Sequence, residues 1–219
     1  KGNRNELTGE LLQLLRDRQI PYSTVPLEKL NRITRKNHQG TIAFLSAVTY
    51  ASLDNIINEA YALGKEPFLV ILDRVTDVRN FGAIARSAEC LGAQALVIPA
   101  KGSARISGDA VKASAGALHH IPVCRADNLK DTLVFLRDSG IRVVGCTESA
   151  AQPSYEADLK GPIALLLGSE EDGISGEYLK LADTQVGIPM KGNIASLNVS
   201  VATSIFLYEV LRQRGNDSY

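Results

Sequence analysis

Apolar and polar positions alternate in a regular rhythm from Glu66 to the end of the chain. Continuous apolar runs, which are typical of strands buried in a parallel sheet, lie at 68–73, 95–99, 120–125, 141–146, 162–168 and 184–190. Stretches with helical spacing separate them at 80–92, 107–118, 129–140 and near 175–181, and a final helix lies within 192–214. Strands that alternate with helices predict an α/β fold, in which a mostly parallel sheet is covered by helices on both faces.

The first 65 residues follow a different pattern. Apolar positions at helical spacing predict helices at 6–19 and 53–63. Between them, residues 21–48 are predicted to form short, strand-like segments, with turn signals at Pro21, at Pro26 and in the segment 37–40. This part is too small for a secure core of its own, so we expect a small extra domain before the α/β domain.

The composition suits a globular protein. Of the 219 residues, 45% are hydrophobic, which fits one medium domain and a small one. No apolar run reaches the roughly 18 residues that a membrane helix needs, and nothing resembles a signal peptide. Cys90, Cys124 and Cys146 lie far apart in apolar surroundings, and we expect them to be reduced, buried thiols in a cytoplasmic protein. Because the first residue is Lys1, we expect the sequence to be part of a longer chain.

The charge is balanced overall but uneven along the chain. Lys and Arg together number 24, as do Asp and Glu, which argues against a protein that binds nucleic acid over its whole surface. Residues 1–40 carry eight Lys or Arg against four acids, and residues 29–36 carry no acid. Such a patch is either a solvated face or a surface that contacts phosphates. The region 151–183, with seven acids and two lysines, is not expected to face phosphates.

Three polar loops follow strands of the predicted sheet. In open α/β sheets, ligands bind beyond the carboxyl ends of the strands, and the segments 74–86, 169–175 and 191–198 lie at that edge. Each loop alone has a simpler interpretation: a helix capped by Asn80, a solvated turn capped by Ser169 or Asp172, and small residues that allow close helix packing. Three such loops at one edge favour a ligand site, which the start of the last helix would line.

Several enzyme classes lack their motifs in this sequence. No GxGxxG follows the first long strand, and neither a P-loop nor a GxSxG motif is present. His38, His119 and His120 do not have the spacing of a metal site, so we expect no metal. No Ser, Thr or Cys has a nearby base that would mark it as a nucleophile. These observations disfavour a dinucleotide-dependent enzyme and a hydrolase.

Three segments, in order, resemble the motifs of a known family. They are DVRNFGAIARSAECLG (77–92), LLLGSEEDGI (165–174) and IPMKGNIASLNVSVATSIFLYEVLRQR (188–214). They resemble the SpoU/TrmH branch of the SPOUT RNA methyltransferases, and the resemblance covers about residues 66–214. It implies transfer of a methyl group from S-adenosylmethionine to a ribose 2′-OH. It also implies a fold that ends in a trefoil knot, the SPOUT or α/β knot.

The first part of the chain resembles the small α+β, ribosomal-protein-like substrate domain of the RlmB type, which modifies a guanosine of 23S ribosomal RNA. The resemblance implies an RNA substrate-binding domain at 1–50, a linker helix at 51–65 and a SPOUT methyltransferase domain at 66–219. The sequence departs from the family at two points. Val78 stands where the family usually has Pro, and we expect the substrate domain to lack its first strand and helix in this sequence.

The resemblance also assigns roles to residues. The residues expected at the catalytic site are Asn80, Arg86, Glu170, Ser196 and Asn198. Those expected to bind the cofactor are Thr147, Gly168, Ile188, Met190 and Leu197, and those expected to contact RNA are Arg32, Arg35, Lys36 and His38. Because arginine stays protonated in proteins, Arg86 would stabilise a developing alkoxide or hold a phosphate. Glu170 would brace the loops, no metal is required, and family members are homodimers packed through the knotted domain.

The leading hypothesis is therefore 2′-O-methylation of a guanosine in 23S ribosomal RNA. The alternatives are the same reaction on a transfer-RNA guanosine, a non-catalytic RNA-binding relative, and a nucleotide-binding α/β regulator. The separate N-terminal part weighs against transfer RNA. The presence of Arg86, Glu170, Ser196 and Asn198 weighs against a non-catalytic relative.

Overall fold

A computed structural model describes residues 6–18, 20, 22–43 and 47–215 of the chain. The chain divides into two compact units, with the boundary between Leu45 and Ser46. Within the described residues, no helix is both long enough and apolar enough to cross a bilayer.

The first unit has two helices in its described residues, α1 (Glu6–Asp17) and α2 (Leu27–Ile33). Helix α1 confirms the first predicted helix. Helix α2 shows that the prediction of strand-like structure for 21–48 was wrong at this segment. Apolar side chains recur at every third position of α2, and Pro26, whose φ is fixed near the helical value, stands directly before its first turn.

The second unit contains a seven-stranded sheet and six helices among its described residues. The strands are β1 (Tyr50–Ala51), β2 (Phe68–Leu72), β3 (Ala95–Pro99), β4 (Val123–Ala126), β5 (Arg142–Cys146), β6 (Ile163–Leu167) and β7 (Thr184–Val186). The helices are α3 (Leu53–Ala62), α4 (Val78–Cys90), α5 (Gly108–Ala113), α6 (Leu129–Asp138), α7 (Gly176–Leu179) and α8 (Val199–Arg214). Short 3₁₀ turns lie at Ala117–His119 and Ser154–Glu156.

All seven strands are parallel and lie in the order β1-β4-β3-β2-β6-β5-β7. This order confirms the predicted α/β fold with a parallel sheet. At the centre, Val70 of β2 lies opposite Leu96 of β3 on one side and Leu165 of β6 on the other. The sequence analysis missed β1, because two residues are too few to show a pattern.

The two faces of the sheet carry separate hydrophobic cores. On one face, α4 and α8 bury Phe81, Ile84 and Phe206 against the sheet. On the other face, α3 and α6 contribute Ile57 and Leu133. A strand buried on both faces reads as a continuous apolar run rather than an alternation, which is why the runs were recognisable in the sequence.

Two strands, β4 and β7, differ by three residues or more at one end from the apolar runs that predicted them. Strand β4 begins at Val123, not at 120, because Ala117–His119 closes a 3₁₀ turn in which the His120 N–H donates to the Ala117 carbonyl at 2.9 Å. Strand β7 ends at Val186. Pro189, which follows within the same run, has no N–H with which to extend a sheet.

The expectation of three buried thiols holds for Cys124 and Cys146 and is wrong for Cys90. Cys90 is the last residue of α4 and is exposed, because this helix turns Ile84 and Ala88 toward the core. Burial raises the pKa of Cys124 to about 11. It also raises the pKa of Cys146.

Helix α3 confirms the helix predicted at 53–63 and packs against the sheet. Ile57 and Ala60 are buried, and the Tyr61 hydroxyl donates a 3.0 Å hydrogen bond to the Ser139 carbonyl. The domain limits given above stay predictions, as does the trefoil knot.

Candidate active site

The loops after β2 and β6 meet at the carboxyl edge of the sheet, as the sequence predicted. Asp73, which directly follows β2, is 1% exposed. Its Oδ2 accepts two hydrogen bonds of 2.7 Å from Ser175, one from the backbone N–H and one from the hydroxyl. The Asp73 N–H donates to the Leu167 carbonyl at 2.8 Å. Asp73 therefore fixes the far end of the loop 169–175.

Arg74 holds the same loop nearer its middle. Its backbone is in the left-handed region, with φ 57°. Its guanidinium donates from Nη1 to the Asp172 carboxylate at 2.9 Å and from Nη2 to the Gly173 carbonyl at 3.1 Å. The hydrogen bond from Nε to Asp73 raises the pKa of Arg74. Two adjacent residues thus anchor the loop at several points.

The loop 169–175 folds back tightly on the end of β6. Ser169 and Gly173 exchange two backbone hydrogen bonds of 3.1 and 3.0 Å, and the Ser169 hydroxyl accepts from the Asp172 N–H at 3.1 Å. A Cβ at Gly168 would lie 1.9 Å from the Gly173 carbonyl carbon. The backbone of this turn therefore requires glycine at 168.

Glu170 connects this loop to the start of α8. Its Oε1 accepts from the side-chain amide of Asn198 and from the Val199 N–H at 3.2 Å. The same Asn198 amide donates to Asn80 Oδ1 at 3.0 Å. Three of the residues expected at the catalytic site, one from each motif, are thus joined through a single amide group.

The oxygen of the Asn198 side chain caps α8. It accepts from the Ser200 N–H at 3.0 Å, from the Ser200 hydroxyl at 2.6 Å and from the Val201 N–H at 3.4 Å. The first turn of a helix carries unpaired N–H groups and partial positive charge, so the cap and the Glu170 carboxylate both stabilise it. Both N–H groups and the oxygen of the Asn198 side chain thus have protein partners.

Helix α4 is capped by Asp77 and not by Asn80. Asp77 Oδ1 accepts from the N–H groups of Arg79 and Asn80, each at 2.8 Å. The interpretation of Asn80 as a cap was therefore wrong, because the helix begins at Val78 and Asn80 lies within its first turn. This position leaves the Asn80 side chain to accept the bond from Asn198.

Arg86 and Ser196 lie outside this cluster. Arg86 is exposed on α4, and Ser196 is exposed in the segment before α8. Neither side chain forms a hydrogen bond or an ion pair with another residue in the described part of the chain. Arg86 follows Asn80 by six positions, which rotates it by about 120° around the helix. The two side chains therefore leave α4 in different directions.

The segment 188–197 has the character of a nucleoside site. Met190 and Leu197 are 37% and 36% exposed, and Ile188 is half-buried. The backbone N–H and C=O groups of 188–197 form no hydrogen bond with any other residue that the structure describes. A heterocycle needs apolar side chains against its faces and amide groups against its edges. The residues present therefore fit the adenosine part of S-adenosylmethionine.

Thr147 lies beside the start of this segment. Its N–H donates to the Val186 carbonyl at 3.0 Å, and its own carbonyl oxygen would lie 3.1 Å from a Cβ on Gly187. Glycine there permits the close approach of the loops after β5 and β7. Thr147, Gly168 and the segment 188–197 follow three adjacent strands of the sheet, β5, β6 and β7.

The residues expected to contact RNA lie in the first unit. Arg32, Arg35 and Lys36 are exposed, and His38 is half-buried. The His38 ring contacts Asn31 Oδ1 through Nε2 at 2.9 Å and accepts from the Gly40 N–H through Nδ1 at 3.1 Å. Three of the four side chains thus face solvent, and His38 shapes the turn that ends at Gly40.

The sequence analysis missed Asp73, Arg74, Asp77 and Ser175. A signal was present for two of them. Asp77 stands three positions before the helix predicted at 80–92, and Asp is a preferred residue for capping the start of a helix. Asp73 is a lone charge at the end of a buried apolar run. The partnership of Asp73 with Ser175 spans 102 positions, and no local pattern marks it.

The arrangement of fold and loops agrees with the comparison to family models. Residues 67–208 match the model of the SpoU rRNA Methylase family, and residues 1–51 match a model described as RNA 2′-O ribose methyltransferase substrate binding. The chain belongs to the SpoU family of RNA 2′-O-ribose methyltransferases.

Curated relatives share most of this chain. YacO of Bacillus subtilis, assigned by name to the TrmH family of tRNA/rRNA methyltransferases, is 37% identical over 205 residues, which cover 94% of this chain and 82% of YacO. The Synechocystis protein slr0955, named as an uncharacterized tRNA/rRNA methyltransferase, is 42% identical over 190 residues, or 86% of this chain and 50% of slr0955.

Several solved structures are similar to the structure of this chain. The SpoU methyltransferase AviRb of Streptomyces viridochromogenes has a TM-score of 0.67 and 32% identity, covering 76% of this chain and 65% of AviRb. The AdoMet-bound rRNA methyltransferase of Sinorhizobium meliloti has a TM-score of 0.64 and 33% identity, covering 68% of this chain and 57% of that structure. The TrmH/SpoU tRNA modifying enzyme of A. aeolicus has a TM-score of 0.62 and 30% identity, covering 74% and 83%. This chain spans less than two thirds of the first two structures.

Proposed function

We propose that this chain transfers a methyl group from S-adenosylmethionine to a ribose 2′-OH of RNA, and that its target is a guanosine of 23S ribosomal RNA. The observation that carries the proposal is the junction of Asn80, Glu170 and Asn198, which joins the three motif segments at the carboxyl edge of the sheet. The family match supports the reaction. The AdoMet-bound relative supports the cofactor.

The cofactor is held by the loops after β5, β6 and β7. We assign its binding to Thr147, Gly168, Ile188, Met190 and Leu197. The amide groups of the segment 188–197, which have no partner among the described residues, bind the polar edges of the adenosine, and the half-exposed apolar side chains cover its faces.

When bound, S-adenosylmethionine supplies a methyl group that is carried on a positively charged sulfur, and the sulfur becomes part of a neutral thioether when it gives up this group. The task of the protein is therefore to place the ribose oxygen and to stabilise its developing negative charge. Arg86, exposed and without an ion pair in the described part of the chain, carries a charge of the right sign for that oxygen or for the neighbouring phosphate.

The other motif residues have positioning roles in this proposal. Glu170 and Asn198 hold the loop 169–175 against the start of α8, and Asn80 ties both to α4. Ser196 is exposed, and its hydroxyl has no partner among the described residues. It is available to RNA or to the cofactor.

The first part of the chain, residues 1–50, binds RNA in this proposal, and residues 66–219 carry the reaction. Arg32, Arg35 and Lys36 supply exposed positive charge, and His38 orders the adjoining turn. The match of residues 1–51 to a substrate-binding model supports this division. A dedicated substrate domain favours a ribosomal RNA target, whereas the relatives' names include both ribosomal and transfer RNA.

The catalytic part is a homodimer in this proposal. Helix α8 exposes an apolar stripe in which Val201, Ile205 and Tyr208 are 47%, 38% and 59% exposed. These positions share one face of the helix, as the spacing i, i+4, i+7 requires. Covering such a stripe removes apolar surface from water, which favours association.

Transfer of labelled methyl groups tests the proposed reaction. The protein, Arg86→Ala and the control Lys180→Ala are each incubated with labelled S-adenosylmethionine and either 23S ribosomal RNA fragments or transfer RNA. We expect ribose labelling of 23S RNA, a loss of about 10²–10³-fold in Arg86→Ala and no loss in Lys180→Ala. Labelling of transfer RNA alone would reassign the target. Cofactor binding without labelling of either RNA would favour a non-catalytic RNA-binding protein.

A further inference from the structure

A fourth loop, Ala100–Ser107, lies at the same edge of the sheet and was not singled out in the sequence. It follows β3, the neighbour of β2. The Ala104 N–H donates to the Val75 carbonyl at 2.8 Å, and Val75 stands in the loop between Asp73 and α4. A backbone hydrogen bond therefore ties the Ala100–Ser107 loop to the motif that carries Asn80.

The loop is firmly anchored. Ala104 and Ile106 are buried, at 5% and 4% exposure, and the Ser103 hydroxyl donates to the Pro99 carbonyl at 2.9 Å. The guanidinium of Arg125, which lies 4.9 Å from the centre of the Tyr50 ring, donates to the Ala100 carbonyl at 3.1 Å. A loop held at this many points has a backbone fixed in place at the edge of the sheet.

Two exposed side chains of this loop are cationic. Lys101 is exposed, and Arg105 is exposed between the two buried anchors Ala104 and Ile106. The segment 100–113 carries three cations and a single acid. This balance contrasts with the acid-rich region 151–183, although both lie in the same second unit.

Helix α4 adds charge beside this loop. Arg79 and Arg86 are both exposed and are seven positions apart, so they share one face of the helix, about 20° apart and about 10 Å along its axis. Arg79 lies in the first turn, four residues after Val75, to which the loop is bonded. Asp77, the nearest acid on this helix, has an oxygen occupied by the cap of α4.

We propose that Lys101, Arg105 and Arg79 form a phosphate-binding surface that holds the RNA backbone next to the methylated ribose. RNA phosphates are the partner that a group of exposed cations at this edge of the sheet fits, because phosphate contacts position nucleic acid without reading its sequence. This inference rests on the proposed function. It goes beyond it in adding an RNA contact that draws on a loop outside the three motifs, Ala100–Ser107, together with Arg79 of the first motif.

RNA binding measured against salt concentration tests the surface. The protein is compared with Lys101→Gln/Arg105→Gln and Arg79→Gln on a 23S RNA fragment that the wild type methylates. Each lost phosphate contact is expected to lower the slope of log Kd against log salt by about 0.7–0.9, so the double variant loses about 1.4–1.8. The KM for RNA rises, whereas S-adenosylmethionine affinity and the thermal midpoint stay at the wild-type values. Arg105→Lys retains the charge and is expected to retain the slope, as is Lys180→Ala.

The outcomes separate this surface from the proposed reaction. If the wild type methylates RNA and the glutamine variants keep its salt slope and KM, the surface is not a phosphate site and the reaction still stands. If the variants lose cofactor affinity and thermal stability together with RNA binding, the loop has a structural role only, and the inference is overturned. If the wild type neither binds nor methylates 23S RNA fragments or transfer RNA, the proposed function is wrong, and the inference of a phosphate-binding surface is overturned with it.

Discussion

The side-chain amide of Asn198 donates a hydrogen bond of 3.0 Å to the side-chain oxygen of Asn80, across 118 positions of sequence. The same amide donates to Glu170. The amide oxygen of Asn80 and the carboxylate oxygen of Glu170 can only accept hydrogen bonds. The Asn198 amide is the donor that both oxygens share. The three motifs are joined by this donor, and replacing it removes the bond to Asn80 and leaves Glu170 with the Val199 N–H alone at the start of α8.

Asn198→Asp tests this relationship. Aspartate still caps α8, because it ranks with asparagine at this position, but it has no N–H and places a second carboxylate beside Glu170. We expect methyl transfer to fall by about 10²-fold, the cost of a misplaced reacting geometry, while the helix content is retained. Single-turnover methylation and circular dichroism measure the two effects. Ser200→Ala, which removes only the 2.6 Å hydroxyl bond to the cap, is the control, and an Asn198→Asp protein with wild-type activity would contradict the role of the junction.

Asp73→Asn is expected to loosen the loop 169–175. The carboxylate is buried and accepts from both Ser175 and Arg74, and breaking a buried bond of a charged group costs about 1–3 kcal/mol. Urea unfolding should show a loss of this size, with weaker cofactor binding by calorimetry. Ser175→Ala removes one of the two bonds from Ser175 and is expected to cost about 1 kcal/mol. Equal stability of Asp73→Asn and wild type would show that Asp73 does not anchor the loop.

Gly82→Ala is expected to destabilise the protein by about 1–3 kcal/mol, the usual cost of overpacking a core. A Cβ at 82 would lie 2.4 Å from the Ala113 Cβ and 2.9 Å from the Ser114 nitrogen, so α4 and α5 would have to separate. Gly108→Ala, at the start of α5 where a Cβ meets nothing within 4 Å, is the matched control and is expected to be neutral or slightly stabilising. Thermal unfolding compares the two, and similar midpoints would show that α4 and α5 adjust without cost.

The three cysteines are expected to react at different rates with iodoacetamide. Cys90 is exposed and should be labelled first. Burial raises the pKa of Cys124 to about 11, so at pH 8 about one in a thousand of these thiols is ionised, and burial also blocks access. Cys146, whose pKa is raised for the same reason, should react only after unfolding. Mass spectrometry of timed samples measures the order, and labelling of Cys124 as fast as Cys90 would contradict the packing of β4.

The same raised pKa values predict a loss of stability in alkali. A buried thiol contributes its full stability below the ordinary pKa of about 8.5, where it is neutral in both states. As the pH rises from there toward 11, the pKa of Cys124, the unfolded chain releases the proton more readily and unfolding is favoured. Cys124→Ala should therefore show a smaller decline of unfolding free energy between pH 8.5 and 11 than the wild type. An identical decline in both proteins would exclude this thiol as a cause.

The alternation of long strands and helices along the second unit could be predicted from the sequence, because a strand buried on both faces needs a continuous apolar run. For the same reason the run 95–99 coincides with β3. Errors arose where short-range chemistry overrides such runs. Residues 120–122 belong to no strand because a 3₁₀ turn precedes them, and Cys90 is exposed because its place on α4 faces away from the core.

The sequence by itself determined the parallel sheet and the edge at which its polar loops gather, because the local spacing of apolar and turn residues reflects burial and turns. The motif residues were marked by the resemblance to a known family. Only the tertiary structure decided which of those residues touch. Asn198 meets Asn80 and Glu170, Asp73 meets Ser175, and Arg86 leaves α4 in another direction. A hydrogen bond needs its two groups within about 3 Å. For residues a hundred positions apart, that distance depends on the order of the strands in the sheet and on the packing of the helices. No local sequence pattern specifies either of these.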